Sequence, residues 1–189
     1  MIDENAFGIL VSYFTVEDDE YGLEREQFVA RLRGFREALR ECARDLPLGR
    51  GVRGLDFGHA QYFEVGAGEQ VESPLGWARK VRARLAERGF ETVVAVTHGS
   101  RWVDEEAESF ASTEYIADVS FITLSNPSEP LRRAWYADTA ARKEDEEDDD
   151  GWGPGLYLDT EAAEALGMMP KNLPTVLTVA GAGFYRAGR

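Results

Sequence analysis

The chain has 189 residues, 43% of them apolar and 11% aromatic, enough to bury a substantial core in a single globular domain spanning 1–189. It carries 35 acidic against 21 basic residues, and the net charge of −14 repels nucleic acid and anionic membranes and leaves a basic protein as the fitting macromolecular partner. One cysteine, Cys42, excludes an intramolecular disulfide and a zinc cluster. The N-terminus MIDENAFGILVSYF has acids where a signal peptide has bases, and no apolar stretch reaches the ~20 residues of a membrane helix, so a cytoplasmic protein is expected.

Phe7 to Val16 is β-branched and aromatic and reads as a buried strand. From Leu23 to Leu46, the residues Phe28, Leu32, Phe35, Leu39, Cys42 and Leu46 recur at three- and four-residue spacing, which predicts an amphipathic helix ended by Pro47 and Gly49. Leu55 to Val65 suggests a second strand, irregular at Gly58. Ser73-Pro74 opens a second helix that carries Trp77, Val81 and Leu85 on one face and stops at Gly89. Phe90 to Thr97 and Tyr115 to Leu124 read as the third and fourth strands.

A helix with Leu131, Ala134, Trp135 and Ala141 follows Asn126-Pro127. It gives way to an acidic flexible loop over 143–155. A short strand, a short helix to Leu166, and a last strand from Thr175 to Tyr185 with a Gly-rich bend complete the chain. The order β-α-β-α-β-β-α-β-α-β predicts an α+β fold: a mixed sheet with helices packed mainly on one face.

The stretch VTHGSRWVDEE (96–106) gathers His98, Ser100, Arg101 and three carboxylates behind a strand. An imidazole there can act as a general base oriented by Asp104 or Glu105. Ser100 stands outside any nucleophile elbow, however, so the expectation is a strand end and a polar loop, with no catalytic residue. His59 with His98 and a carboxylate has the composition of a two-histidine metal site, but two isolated histidines are a thin basis. No metal and no cofactor is expected. Gly49 to Gly54 matches G-x-G-x-x-G literally, yet it follows a helix and precedes a strand, the reverse of what a pyrophosphate needs. Arg79, Lys80, Arg82, Arg84 and Arg88 make the second helix basic, a face expected to pair with the surplus acids.

The acidic clusters are the loudest feature: Glu17, Asp18, Asp19 and Glu20, then Glu144, Asp145, Glu146, Glu147, Asp148, Asp149 and Asp150, with Asp104-Glu105-Glu106 as a third. Such a surface steers a cationic partner into contact, and Trp152 beside the long run is a fitting aromatic anchor. Three acidic clusters on an α+β chain without a catalytic motif resemble, as a class, the small acidic bacterial immunity proteins that neutralise toxins. That resemblance implies direct binding of a cationic toxin or effector through these residues. The alternative is an enzyme using His98 with Asp104 or Glu105, joined by His59.

Overall fold

The computed structural model describes residues 2–14, 25–103, 128–142, 153–168, 175–179 and 182–188. They form β1 (Ile2–Tyr13), α1 (Arg25–Asp45), β2 (Arg53–Asp56), β3 (Ala60–Gly66), α2 (Pro74–Glu87), β4 (Thr92–Val103), α3 (Glu129–Ala141), β5 (Gly155–Asp159), α4 (Thr160–Ala165), β6 (Thr175–Val179) and β7 (Ala182–Gly188). The strands make one mixed sheet in the order β2-β3-β1-β4-β5-β7-β6. β4 and β5 are parallel, and α3 lies in the crossover between them, as a parallel connection requires. The other pairs are antiparallel. The fold is α+β.

Ala6 to Val11 of β1 is an unbroken apolar run because both its faces are covered there. Phe7, Ile9, Val11 and Tyr13 join a core with Phe35, Leu39 and Cys42 of α1, Trp77, Val81 and Leu85 of α2, and Ala162 and Ala163 of α4. Leu10 faces the second core, built with Leu131, Ala134 and Ala137 of α3. Among the described residues, three helices thus share one face and α3 covers the other. Each fully buried large side chain contributes ~1.5–3 kcal/mol, so the α1 and α2 stripes anchor their helices strongly. Alanines at three- and four-residue spacing let α3 lie close to the sheet. Tyr62 and Pro130 fill the space over Gly8 that a Cβ would need.

Several expected elements differ. The second strand is a hairpin, because Gly58 at φ +84° turns the chain and donates its N–H to Asp56 Oδ1 at 2.9 Å. Burial pulls the Asp56 carboxyl upward, but the Gly58 N–H and Arg36 outweigh it and hold it below its usual value. The C-terminal run folds back on itself as β6 and β7, with Val179 opposite Ala182. Of the segment 143–155 expected as an acidic loop, Gly155 belongs to β5. Tyr115 to Leu124 and residues 143–152 lie outside the described residues.

The largest correction concerns VTHGSRWVDEE. β4 does not end at Thr97: it runs on through His98 to Val103, paired with β1 from Ile2 to Phe7. Polar side chains alternate along it without breaking it, because β1 continues to supply hydrogen-bonding partners.

Candidate functional site

The polar chemistry of the described residues gathers at the two ends of α3. At its C-terminal end, Asp138 is buried against the carboxyl end of β1. The Ser12 hydroxyl donates to Asp138 Oδ1 at 2.6 Å, and Arg142 Nε donates to Oδ2 at 3.1 Å. Arg142 Nη2 also donates to the Tyr13 carbonyl at 2.7 Å and meets the Ser12 hydroxyl. His59 reaches this corner because the β2–β3 turn is tied to β1, with Tyr13 N–H donating to the His59 carbonyl at 2.8 Å. Its Nε2 stands 3.9 Å from Asp138 Oδ2, and its side chain is 41% exposed.

Aromatic rings wall the corner. Phe57 and Trp135 lie 5.1 Å apart, His59 meets Trp135 edge-on at 6.1 Å, and the Arg142 guanidinium sits 5.9 Å from the Phe14 ring. Ser12 and His59 touch different oxygens of Asp138, so this is not a serine–histidine relay, in which the imidazole must stand between hydroxyl and carboxylate. The arrangement can do something else. A buried carboxylate held by two donors stands beside an accessible imidazole and a guanidinium suited to an oxyanion.

At the N-terminal end of α3 lies a sealed network. Ser128 caps the helix by accepting Leu131 N–H at 3.3 Å and donates its hydroxyl to Glu64 Oε2 at 2.6 Å. The Tyr62 hydroxyl donates to the same oxygen at 2.7 Å, and Arg101 Nη1 donates to Oε1 at 3.0 Å. Burial and the Glu64 charge push the Tyr62 phenol well up. These side chains are shielded from solvent, and their role is to close the sheet beneath α3.

His98 stands apart from both. Its ring packs 4.6 Å from Phe7, and its main-chain N–H donates to Asp159 Oδ2 at 3.4 Å. Burial, reinforced by Arg133, lowers the imidazole below its usual value. Asp159 ends β5 and caps α4, accepting Ala162 N–H at 2.7 Å; Arg133 Nε lies 3.1 Å from it, and Arg133 Nη1 lies 2.8 Å from Glu161. Burial pushes the Asp159 carboxyl up to about 7 against the opposing pull of Arg133 and the two N–H groups.

Among the described residues, the carboxylates near His98 are Asp159, at its main-chain N–H, and Glu161. The expected partners Asp104 and Glu105 lie outside the described residues, as do Glu17 to Glu20, Glu144 to Asp150 and Trp152. Only the parallel pairing of β4 with β5 reveals Asp159.

The two histidines do not meet. His98 is opposite Phe7 and His59 is beside Tyr13, six residues further along β1, or about 20 Å at strand spacing. They also serve opposite faces, so the two-histidine metal site does not form. Among the described residues no group of three or more His, Cys, Asp or Glu is placed to hold a metal. Three of the five α2 cations pair with carboxylates, Lys80 with Glu72 at 2.5 Å, Arg84 with Asp45 at 3.7 Å and Arg88 with Glu41 at 2.7 Å, whereas the Nε of the half-buried Arg82 has no hydrogen-bond partner among the described residues. Among the described residues no helix is long and apolar enough to cross a membrane.

No family model matches the sequence, and no curated protein matches it. Solved structures do match in fold. The guanylate cyclase domain of a rhodopsin-linked protein from Catenaria anguillulae, in complex with GTP, superposes with a TM-score of 0.58 at 10% identity, over 100% of this chain and 100% of that one. A dimeric guanylyl cyclase domain from the aquatic fungus Blastocladiella emersonii gives 0.58 at 10% identity, over 100% and 99%. The adenylyl cyclase CyaB from P. aeruginosa gives 0.55 at 9% identity, over 98% and 94%. This overturns the reading of an immunity-type protein with a basic toxin or effector as partner. That reading rested on composition, whereas the whole-length counterparts are catalytic domains of nucleotide cyclases. At these identities, the chain shares with them a fold.

Proposed function

We propose that this chain is an enzyme that binds a nucleoside phosphate at the corner of His59, Asp138, Arg142, Phe57 and Trp135. The observation that carries the reading is the accessible His59 imidazole backed by the buried Asp138 carboxylate, with a guanidinium and aromatic faces around it. Each part answers one part of a nucleotide. Arg142 meets phosphate oxygens, and the rings of Phe57 and Trp135 accept a base by stacking. His59 takes a proton from a hydroxyl or a water, while Asp138 stabilises the imidazolium that results. The cyclase counterparts, one of them solved with GTP, support the choice of a nucleotide over other phosphates. The acidic surface disfavours a bare polyanion, so the magnesium complex is the fitting form of the ligand.

The test uses the purified chain with GTP or ATP and magnesium. Binding is followed by calorimetry, and turnover by chromatography of the nucleotide products. Arg142→Gln is expected to weaken binding about tenfold or more, as loss of a charge-assisted contact does. His59→Ala is expected to lower turnover ~10²–10⁴-fold while binding holds. Absence of binding by both nucleotides, or unchanged turnover in His59→Ala, would sink the reading.

A further inference from the structure

Ser12 is fully buried in β1, opposite Val93 of β4 and opposite Ala60, the residue that follows His59. Its hydroxyl has one hydrogen to give, and Asp138 Oδ1 takes it at 2.6 Å. The contact with Arg142 Nη2 therefore falls on the hydroxyl's lone pairs, with the guanidinium as donor. This fixes the rotation of the hydroxyl, because no other arrangement satisfies both charged neighbours. Securing Oδ1 also leaves Oδ2 as the carboxylate oxygen that stands 3.9 Å from His59 Nε2.

The same hydroxyl sets the direction of Arg142. Nε donates to Asp138 Oδ2 at 3.1 Å, while Nη2 meets Ser12 Oγ, the Tyr13 carbonyl at 2.7 Å and Asp138 Oδ1 at 3.3 Å. These bonds commit the Nε and Nη2 side of the guanidinium to the protein. Nη1 has no acceptor among the described residues, and it is the nitrogen left to meet a ligand oxygen. A planar guanidinium anchored along one edge presents its remaining nitrogen in a set direction.

We propose that Ser12 is a positioning residue of this corner: its hydroxyl locks the Asp138 carboxylate and the Arg142 guanidinium into one hydrogen-bonded unit, and so fixes where a ligand phosphate binds relative to His59. For the ligand this rests on the nucleotide reading of the corner. The lock itself rests on the geometry of Ser12, Asp138 and Arg142.

Two measurements on the full chain test it. The first needs no ligand: exchange of the Arg142 Nε–H with water is followed by NMR. Ser12→Ala is expected to speed this exchange about tenfold, the factor given by loss of one hydrogen bond to a charged group, and Ser12→Thr, which keeps the hydroxyl, to restore it. The second is a double-variant cycle on the affinity for GTP or ATP with magnesium. Ser12→Ala is expected to weaken binding about tenfold in the native chain and to add nothing in an Arg142→Gln chain, because it acts through that guanidinium. Unchanged Arg142 exchange in Ser12→Ala, or a loss of affinity as large in the Arg142→Gln chain as in the native one, overturns the proposal. If neither nucleotide binds the native chain, the nucleotide reading falls, and the lock stands or falls by the exchange measurement. Tm is followed for every chain; Ser12→Cys, which keeps the volume but donates weakly, takes the place of Ser12→Ala if the alanine chain does not fold.

Discussion

Arg101 and Glu64 form an ion pair at 3.0 Å with side chains only 5% and 0% exposed, bridging β4 and β3 across the glycine-lined centre of β1. Buried charges of this kind are strongly conditional. Each is tolerable only while the other is present.

Arg101→Met is therefore expected to destabilise the fold by about 3–5 kcal/mol, because Glu64 stays buried with only the Tyr62 and Ser128 hydroxyls to hold it. The double variant Arg101→Met with Glu64→Leu should recover much of that loss. Urea unfolding of both variants measures the coupling. Additive losses would show that the two charges act independently.

Asp159 gives stability a pH dependence of definite sign. In the unfolded chain its carboxyl titrates near ~3.9, and in the folded protein at about 7. The folded state therefore holds a proton that the unfolded state gives up across this interval. The stability this contributes is complete below about pH 4 and is lost as pH rises through about 7. Relative to Asp159→Asn, whose amide still caps α4, the native chain should lose up to ~4 kcal/mol between pH 4 and 8. Parallel unfolding curves for the two chains would refute the shift. His98 acts in the other direction: its lowered imidazole contributes stability above the ordinary histidine value that is lost as pH falls through its folded value.

Gly8→Ala should cost about 1–3 kcal/mol through overpacking, since the new methyl would press on the Tyr62 hydroxyl, on Tyr62 Cε2 at 2.7 Å and on Pro130 Cβ at 2.8 Å. α3 lies on this glycine through Pro130, so amide exchange in α3 should quicken along with the fall in Tm. A Gly8→Ala chain as stable as the native one would mean that α3 shifts outward at no cost.

Much of the fold was legible because local physics dictates it. The stripes Phe35/Leu39/Cys42 and Trp77/Val81/Leu85 need only helical periodicity to be read, and both are buried as expected. Pro74 and Gly89 punctuate α2 by their own backbone preferences. Hairpins were harder, since a turn at Gly58 inside a continuous apolar run looks like an irregular strand until β3 is seen folded against β2. The extension of β4 past Thr97 was hidden for a related reason: His98, Ser100 and Arg101 have the composition of a loop, and only pairing with Ile2 to Phe7 makes them a strand.

The sequence alone determined the α+β class, the helical stripes and the surplus of negative charge, because these follow from composition and spacing within one segment. It also pointed to His59 and His98, though not to their separation or their partners. Tertiary structure decided which carboxylate stands by each histidine: Asp138 lies near the His59 imidazole, 79 positions away, and Asp159 accepts the His98 main-chain N–H, 61 positions away, and no local pattern encodes a contact across that distance. It likewise decided that Glu64 and Arg101 are buried. The acidic runs dominated the composition while saying nothing about architecture, because exposed charge sets solubility and long-range attraction, whereas the buried faces set the fold.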